Sequence, residues 1–423
     1  LVGSAFSGSS VDKRSQSDYN IFVSKLNTAG TSVKSAVIGG NKIDLAFDIR
    51  TTNTGNVLVC GYTESTNLST QFSGSGASNT NNGDADVLIF SINSDLSSVN
   101  WIKNYGGSKD DKARMMLVHP STNDIYVGGL TLSSNFPTVS PRQNSLGGDQ
   151  SGFLQRLTSS GATTWSSYFK SNSSKSTIIE CMDFNAAKDK IYFGGLTSGL
   201  NSANVSSSGV YSSSIAGGMD YFICRMTTNQ VFELGTYLGG SSTEENMMGL
   251  KLDNNDAVFI FGYSSSSNFP VTSGALQSSY NGSTDKTFSK LSSDLSSLQY
   301  STFVGGSDEE YDPIGERGVQ MLGCKTYTII TAESDDIPLT DGAITTNKSS
   351  SSSIFEPGLM VWSNPPDLSA NTISPSQNVC SGNLPANFSG STSSYSLPDI
   401  TRDGNDFSSF CFSFCKLLLA GKY

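Results

Sequence analysis

The residues with the clearest potential for chemistry are acidic and follow paired glycines at a regular spacing. The loops SKDD, SSTEE and SDEE supply the candidate metal ligands Asp110, Asp111, Glu244, Glu245, Asp308 and Glu309. Hard cations such as Ca²⁺ take several carboxylate and carbonyl oxygens. If equivalent loops share one face of a repeat protein, these residues predict a broken acidic ring that could hold Ca²⁺. Solvated turns are the alternative, and no EF-hand-like spacing supports calcium further.

Residues suited to catalysis are scarce. The chain has one histidine, His119, beside a turn in LVHPSTN. A single histidine without a nearby nucleophile does not favour Ser–His–Asp or Cys–His chemistry, and it excludes a multi-histidine metal site. We therefore predict that His119 is a turn residue and that the chain is not an enzyme.

The elements that must position these loops recur along the chain. A strand ending in glycine reads NVLVCGYT from Asn56, DIYVGGLT from Asp124, KIYFGGLT from Lys190 and VFIFGYSS from Val258. The paired glycines end at Gly40, Gly107, Gly240 and Gly306, which gives a period of about 66 residues. The third repeat has YFKSNSS where its paired glycines belong. Such a period indicates a repeat architecture.

Each repeat carries about four short strands joined by turns, which predicts an all-β fold. One such sheet cannot bury both of its faces alone, whereas sheets packed radially around an axis can. We predict a β-propeller of four-stranded blades over residues 1–365, with six blades and seven as the alternative. Small residues in the glycine phrase would allow neighbouring blades to pack closely. Residues 366–423 are expected to form a linker and a short C-terminal extension, either partly β-sandwich-like or disordered.

The repeat resembles the SBBP family of β-propeller repeats. The resemblance rests on GYT or GLT after a strand, on SNFP at 134–137 and 267–270, and on GALQ at 274–277. DxF followed by KL or RM, and TYLGG or TFVGG followed by acidic residues, complete the pattern. The family implies a propeller and a secreted or surface setting, and it implies no common enzymatic activity.

A second resemblance concerns the C-terminal segment. The run NTISPSQNVCSGNLPANFSGS at 371–391 resembles the start of modules in the surface adhesins of gliding bacteria, a class exported by the type IX pathway. The resemblance implies an extracellular or cell-surface location. The pattern is lost after residue 399.

Charge and hydrophobicity limit the partners. The chain has 26 Lys and Arg against 37 Asp and Glu, a net charge of −11. Phosphate backbones and anionic lipids repel such a chain, so we expect no nucleic-acid partner. No stretch approaches the roughly 20 apolar residues that span a bilayer, so we expect no membrane insertion. No signal peptide is visible at Leu1, and we expect a processed product or a fragment.

Seven cysteines are present. Cys60, Cys181, Cys224 and Cys324 lie in or beside apolar strands, where cysteine acts as a small buried hydrophobe. Cys380, Cys411 and Cys415 lie beyond the repeats, and their spacing does not select a disulfide.

Three functions fit this sequence. The first is a secreted or cell-surface binding or adhesion module with a glycan or another surface protein as partner. The second is a structural spacer in a larger surface protein. The third is a glycan-acting enzyme at the central channel, which would need two suitably separated carboxylates. Fold alone does not decide between them.

Overall fold

A computed structural model describes residues 2–6, 19–77, 81–205, 208–310, 319–322, 325–334, 336–337 and 356–363. These residues form 22 strands, one helical turn (α1, Leu68–Gln71) and one 3-10 turn (Ser202–Asn204). The predicted all-β class is confirmed. Among the described residues, no helix has the length and apolar character needed to cross a membrane.

The strands form six antiparallel sheets in chain order. The first sheet contains β1 (Val2–Phe6), β2 (Tyr19–Leu26) and β3 (Ser32–Ile38). The second contains β4 (Asp44–Thr51), β5 (Val57–Thr63), β6 (Asp86–Ile92) and β7 (Val99–Tyr105). The third contains β8 (Asp111–Val118), β9 (Ile125–Thr131), β10 (Ser151–Leu157) and β11 (Thr163–Phe169).

The remaining three sheets follow the same order. The fourth contains β12 (Thr177–Phe184), β13 (Lys190–Thr197), β14 (Asp220–Thr227) and β15 (Phe232–Leu238). The fifth contains β16 (Glu244–Leu252), β17 (Val258–Ser264), β18 (Asp285–Leu291) and β19 (Leu298–Val304). The sixth contains β20 (Val319–Leu322), β21 (Lys325–Ala332) and β22 (Glu356–Ser363). In the described part of the chain, four sheets have four strands and two have three.

The sheets are arranged as the blades of a β-propeller. The first strands of successive sheets contact one another, β4 with β8, β8 with β12, β12 with β16, and β16 with β20. The first sheet meets the second through β1 and β2, which contact β4. The strands β6, β9 and β17 are buried at every position because a neighbouring sheet covers each of their faces. This burial explains their nearly continuous apolar sequences.

The sheets do not coincide with the sequence repeats. In the sequence, each repeat opens on the glycine-containing strand and closes on the strand that precedes an Asn/Asp/Gly turn. In the structure, that closing strand becomes the first strand of the following sheet; β4, for example, pairs with β5 and not with β3. Each boundary between sequence repeats therefore falls inside a blade, so each repeat links two neighbouring blades.

The repeated glycine has a role within its own sheet in addition to the expected blade packing, which is seen at Gly262, where a Cβ would lie 2.3 Å from the Tyr221 hydroxyl of the preceding blade. A Cβ on Gly129 would lie 2.1 Å from the Lys112 carbonyl oxygen, within the same sheet. The register of β8 shifts between Ala113 and Met115, which marks a bulge beside this glycine. The equivalent Gly61 and Gly195 face the bulges of β4 and β12 in the same way. The repeated glycine thus accommodates a bulge in its own blade.

In two repeats, the glycine one position before the repeated glycine also packs against the neighbouring blade. A Cβ on Gly128 would lie 2.9 Å from Ile179 Cγ2, and one on Gly194 would lie 3.0 Å from Met247 Sδ. In both cases the contact is with the first strand of the next sheet. The expected contribution of small residues to blade packing is therefore also found at these two positions.

We predict that Gly129→Ala lowers the free energy of unfolding by about 1–3 kcal/mol, because overpacking against backbone atoms is costly. Equilibrium urea unfolding measures the change. Gly218→Ala is the control, since its nearest neighbour is a side-chain hydroxyl, Thr243 Oγ1, at 3.0 Å. Equal losses in the two variants would show that the bulge does not select glycine.

Three of the cysteines behave as expected. Cys60, Cys181 and Cys224 are buried. Cys324, Cys380, Cys411 and Cys415 lie outside the described residues, as does the segment 366–423 with its adhesin-like run.

Candidate functional site

One end of the blades gathers the connections that carry the acidic residues. Thr63, the last residue of β5, pairs with Asp44 at the start of β4 and with Asp86 at the start of β6. Antiparallel pairing therefore brings the turns between blades and the β5–β6 type of connection to the same end. We call this end the loop face; its turns between blades are 39–43, 106–110, 170–176, 239–243 and 305–309.

Neighbouring blades are hydrogen-bonded to each other at the loop face. The Ser108 amide donates to Asn135 Oδ1 at 2.9 Å, and the Lys109 amide donates to Ser133 Oγ at 2.9 Å. The same two bonds recur from Ser241 and Ser242 to Asn268 and Ser266, and from Ser307 and Asp308 to Asp336 and Ser334. Each turn is therefore held by the second connection of the next blade.

A buried carboxylate lies beneath four of the five turns between blades. Asp111 Oδ2 accepts hydrogen bonds from the Gly107 amide at 2.6 Å and from Ser133 Oγ at 2.9 Å. The equivalent carboxylates accept from Gly40, Gly240 and Gly306, and they belong to Asp44, Glu244 and Glu310. All four carboxylates are fully buried. They anchor the turns from inside the protein.

A second set of carboxyl groups faces the first. These groups open the third strand of the preceding blade, and each is fully buried. They form the carboxyl pairs Asp86/Asp111, Asp220/Glu244 and Asp285/Glu310. A Cβ on Gly106 would lie 2.3 Å from Asp86 Oδ1 and 2.6 Å from Asp111 Oδ2. The first glycine of each doublet is therefore required because both carboxyl groups occupy the space beside it.

Burial raises the pKa of every carboxyl group in these pairs. For Asp86, removal from water dominates and raises the pKa to about 6, and the charge of Asp111 adds to the effect. For Asp285, burial and the charges of Glu310 and Asp336 raise the pKa to about 7. Burial also raises the pKa of Glu244, with a further contribution from Asp220. Hydrogen bonds from main-chain amides oppose these shifts and do not overcome them.

Two interfaces vary the pattern. Between the first and second blades, Asn20 replaces the first carboxyl group and faces Asp44. Between the third and fourth blades, Ser151 and Thr177 replace both groups. Their hydroxyls bond locally, Ser151 Oγ to the Gly147 carbonyl and Thr177 Oγ1 to Thr197 Oγ1. This is the repeat without paired glycines, and it carries no buried charge at this position.

The structure separates the six predicted metal ligands. Asp111 and Glu244 are buried in different carboxyl pairs, while Asp110 forms an ion pair with Lys112 at 2.8 Å. Asp308 is exposed and Glu309 is half-buried at the loop face. Glu245 lies in β16, and its side chain is outside the described part. No group of three or more His, Cys, Asp or Glu suited to a metal occurs among the described residues, and the acidic ring stays a prediction.

The sequence-based interpretation missed Asp86, Asp220 and Asp285. Each precedes the apolar strand that follows the long connection, as in DVLIF, DYFIC and DKTF. These aspartates recur visibly in the sequence, but nothing there distinguishes them from aspartates in ordinary turns. Their partners were visible as well, because they follow the paired glycines.

His119 lies where a turn residue was expected. Its Nε2 lies 3.1 Å from the Lys188 carbonyl oxygen in the next blade, and its ring packs edge-on against Phe184. The side chain thus connects two blades at the end opposite the loop face.

The chain has low similarity to known proteins. No family model matches the sequence, and no curated protein matches it. Among solved structures, it is similar to a protein of unknown function from Dyadobacter fermentans, with 10% identity, a TM-score of 0.40, and coverage of 77% of this chain and 83% of that one. It is also similar to a duf4221 family member from Bacteroides vulgatus, with 10% identity, a TM-score of 0.36, and coverage of 83% and 88%.

A third similar structure is the WD40 domain of Pan2 from Neurospora crassa. The identity is 10%, the TM-score is 0.37, and the match covers 75% of this chain. It spans 62% of that chain, which is less than two thirds of its length. The propeller architecture accordingly rests on the sheets and on the contacts between them.

Proposed function

We propose that this chain is a non-enzymatic binding or adhesion module of the cell surface or extracellular space, and that the loop face is its recognition surface. The observation that carries the proposal is the repeated hydrogen bonding between a turn and the second connection of the next blade. A surface held in one conformation loses little entropy when a partner binds. The partner we propose is a glycan or another surface protein, and the SBBP-like repeats and the adhesin-like run support the extracellular setting.

The chemistry exposed on the loop face suits a polar partner. Ser108 and Lys109 are exposed in one turn, Ser241 and Ser242 in another, and Ser307 and Asp308 in a third. Hydroxyl, ammonium and carboxylate groups at regular intervals can hydrogen-bond to sugar hydroxyls or to polar side chains. Because the turns repeat from blade to blade, one partner could contact several of them at once.

The enzymatic alternative is not favoured by the same geometry. The carboxyl pairs are fully buried beneath the turns, so a substrate cannot reach them. A groove of about 490 Å³ lies between β3 and the second blade, lined by Val37, Phe72 and Val99 among others. None of its described lining residues is titratable, and it offers no acid–base pair.

The proposal is tested with a glycan array and a panel of extracellular-matrix proteins, using the full chain. We expect selective binding that Lys109→Glu and Asp308→Lys reduce at least about 10-fold, the size expected for a binding contact worth about 1.4 kcal/mol. Lys34→Glu is the control for Lys109→Glu, since it makes the same charge change on exposed β3, away from the loop face. Equal weakening by all three variants would contradict the loop face as the site, and no binding by folded protein would favour the structural spacer.

A further inference from the structure

The carboxyl pairs concentrate negative charge without a positive partner. Each of the three pairs places two fully buried carboxyl groups at one blade interface. The ion pairs between described residues use other acids, namely Asp48, Asp110, Asp124, Asp183, Glu233 and Asp253. A buried charge is costly unless it is paired or coordinates a metal. A proton on one carboxyl group or a bound cation must therefore neutralise each pair.

The pairs also hold oxygen atoms without hydrogen-bond donors. Asp86 Oδ1 and Asp111 Oδ1 are buried and have no partner, and the same is true of Asp285 Oδ1 and Glu310 Oε1. In the third pair, Glu244 Oε2 is the buried oxygen without a partner. Buried polar atoms are nearly always satisfied in folded proteins. Five such atoms lie at three equivalent places, and two more, Asn20 Oδ1 and Asp44 Oδ1, lie at the first interface.

In each pair, one oxygen of each carboxyl group lies against the first glycine of the doublet. A Cβ on Gly305 would lie 2.3 Å from Asp285 Oδ1 and 2.4 Å from Glu310 Oε2. On Gly239 it would lie 2.6 Å from Asp220 Oδ1 and 2.7 Å from Glu244 Oε2. The oxygens of both groups thus converge on one side of the same residue. Carboxylate oxygens that converge in this way are the ligands that calcium prefers.

The interface between the third and fourth blades serves as an internal comparison. It has lost both carboxyl groups together, and the side-chain oxygens of Ser151 and Thr177 are hydrogen-bonded. Neither charge nor an unsatisfied side-chain oxygen is found on Ser151 and Thr177, whereas the first interface, with one carboxylate, keeps unsatisfied oxygens on Asn20 and Asp44.

We propose that Asp86/Asp111, Asp220/Glu244 and Asp285/Glu310 each bind a divalent cation of the Ca²⁺ class between neighbouring blades. This goes beyond the proposed recognition function and does not depend on it. It also differs from the acidic ring predicted from the sequence, because the cations lie beneath the turns and use one carboxyl group from each of two blades. Since the same carboxylates accept the amides of Gly107, Gly240 and Gly306, the cations would stabilise the loop face.

The test is calorimetric titration of Ca²⁺ into the EDTA-treated full chain, together with thermal melting with and without Ca²⁺. We expect up to three ions per chain and a rise in Tm on the order of 5 °C at an ion concentration about 100-fold above Kd. The double variant Asp285→Asn/Glu310→Gln removes one site while keeping the shape of its side chains. We expect it to bind one ion fewer and to have a smaller rise in Tm.

The matched control is Asp308→Asn/Glu309→Gln, which removes the same charge from the adjacent turn. It should bind as many ions as the wild type. Loss of an ion in the control but not in the Asp285/Glu310 variant would overturn the proposal in favour of the exposed turns. Absence of calcium binding by the folded wild type would also overturn it, and would show that protons neutralise the pairs.

Discussion

Asp111→Ala is expected to lower the free energy of unfolding by about 2–5 kcal/mol, whereas Asp111→Asn should change it by less than about 1 kcal/mol. The alanine variant leaves the Gly107 amide and the Ser133 hydroxyl without their acceptor in a buried place, at about 1–3 kcal/mol for each unsatisfied group. Asparagine keeps a side-chain oxygen for both donors. Its amide can also donate to Asp86, which relieves the repulsion between two carboxylates.

The chain contains a natural precedent for the asparagine variant. At the first interface Asn20 faces Asp44, so an amide and a carboxylate already occupy this position in the fold. Urea unfolding at pH 7 in EDTA measures both variants without a contribution from bound cations. Amide exchange at Ser108 and Lys109 should accelerate in the alanine variant only, because their turn loses its anchor. Equal stability of the two variants would show that Asp111 does not hold the turn.

The propeller was predictable because its determinants are local and recur. The phrases VGGLT and FGGLT combine β-forming residues with a glycine at a constant position, and paired glycines follow at a constant distance. Alternating apolar strands and turns with this period allow few other folds. The third repeat could be recognised despite its missing glycines because its glycine-containing strand and the strand after the long connection remained.

The offset between the sequence repeats and the blades was not predictable, since it depends on pairing between strands from different repeats. The strand at 44–51 precedes a turn and leads into β5, which is compatible with either blade in a linear sequence. Only the pairing of Asp44 with Thr63 assigns it to the second sheet. The role of Gly129 beside a bulge was not predictable for a related reason, because the β8 bulge is not encoded by any single residue type.

Only one of the two sets of carboxyl groups in the candidate site was predictable from the sequence. Acids after the paired glycines were identified as candidate cation ligands or as solvated turn residues, but the burial of Asp111 and Glu244 was not predicted, because charged residues usually lie in solvent. Asp110 and Asp111 are neighbours, yet one forms an ion pair with Lys112 and the other is fully buried. The difference arises because Asp111 opens a strand that contacts the preceding blade. Its partner Asp86 lies 25 positions earlier, and their contact exists only after two blades have packed.

The same residues therefore stabilise the fold and support the candidate recognition surface. The carboxylates that open β8 and β16 connect two blades through their partners, and they hold the turns that would contact a ligand. A change in the charge of a pair should consequently alter both the stability of the blade interface and the order of the loop face.

In EDTA, the free energy of unfolding is expected to fall by about 2–4 kcal/mol as the pH rises from 5 to 7. The pKa of Asp86 is raised to about 6 and that of Asp285 to about 7 in the folded state, chiefly by burial. The unfolded chain has carboxyl pKa values near 4. Between these limits the folded protein holds more protons than the unfolded chain, so stability falls by about 1.4 kcal/mol per pH unit for each such group.

Acids with a lowered pKa do not contribute to this fall, whereas the other buried acids with a raised pKa, such as Asp44 and Asp111, add to it. Hydrogen bonds from neighbouring serines lower the pKa of Asp95 and Asp294, and the contribution of these two groups to stability is lost only below about pH 4. The raised pKa of Glu244, which faces Asp220, should extend the fall in stability toward higher pH. Urea unfolding at half-unit pH steps measures the slope.

Asp285→Asn isolates the contribution of one pair to this slope. Asparagine cannot lose a proton in this range, so the variant should show a shallower fall between pH 5 and 7, by about 1.4 kcal/mol per pH unit at most. Asp308→Asn, which changes an exposed acid in the adjacent turn, should keep the wild-type slope. Millimolar Ca²⁺ should flatten the wild-type profile above pH 6, since a bound cation stabilises the ionised pairs. A profile that rises from pH 5 to 7 in EDTA would show that the buried pairs are ionised in this range and would contradict their neutralisation by protons.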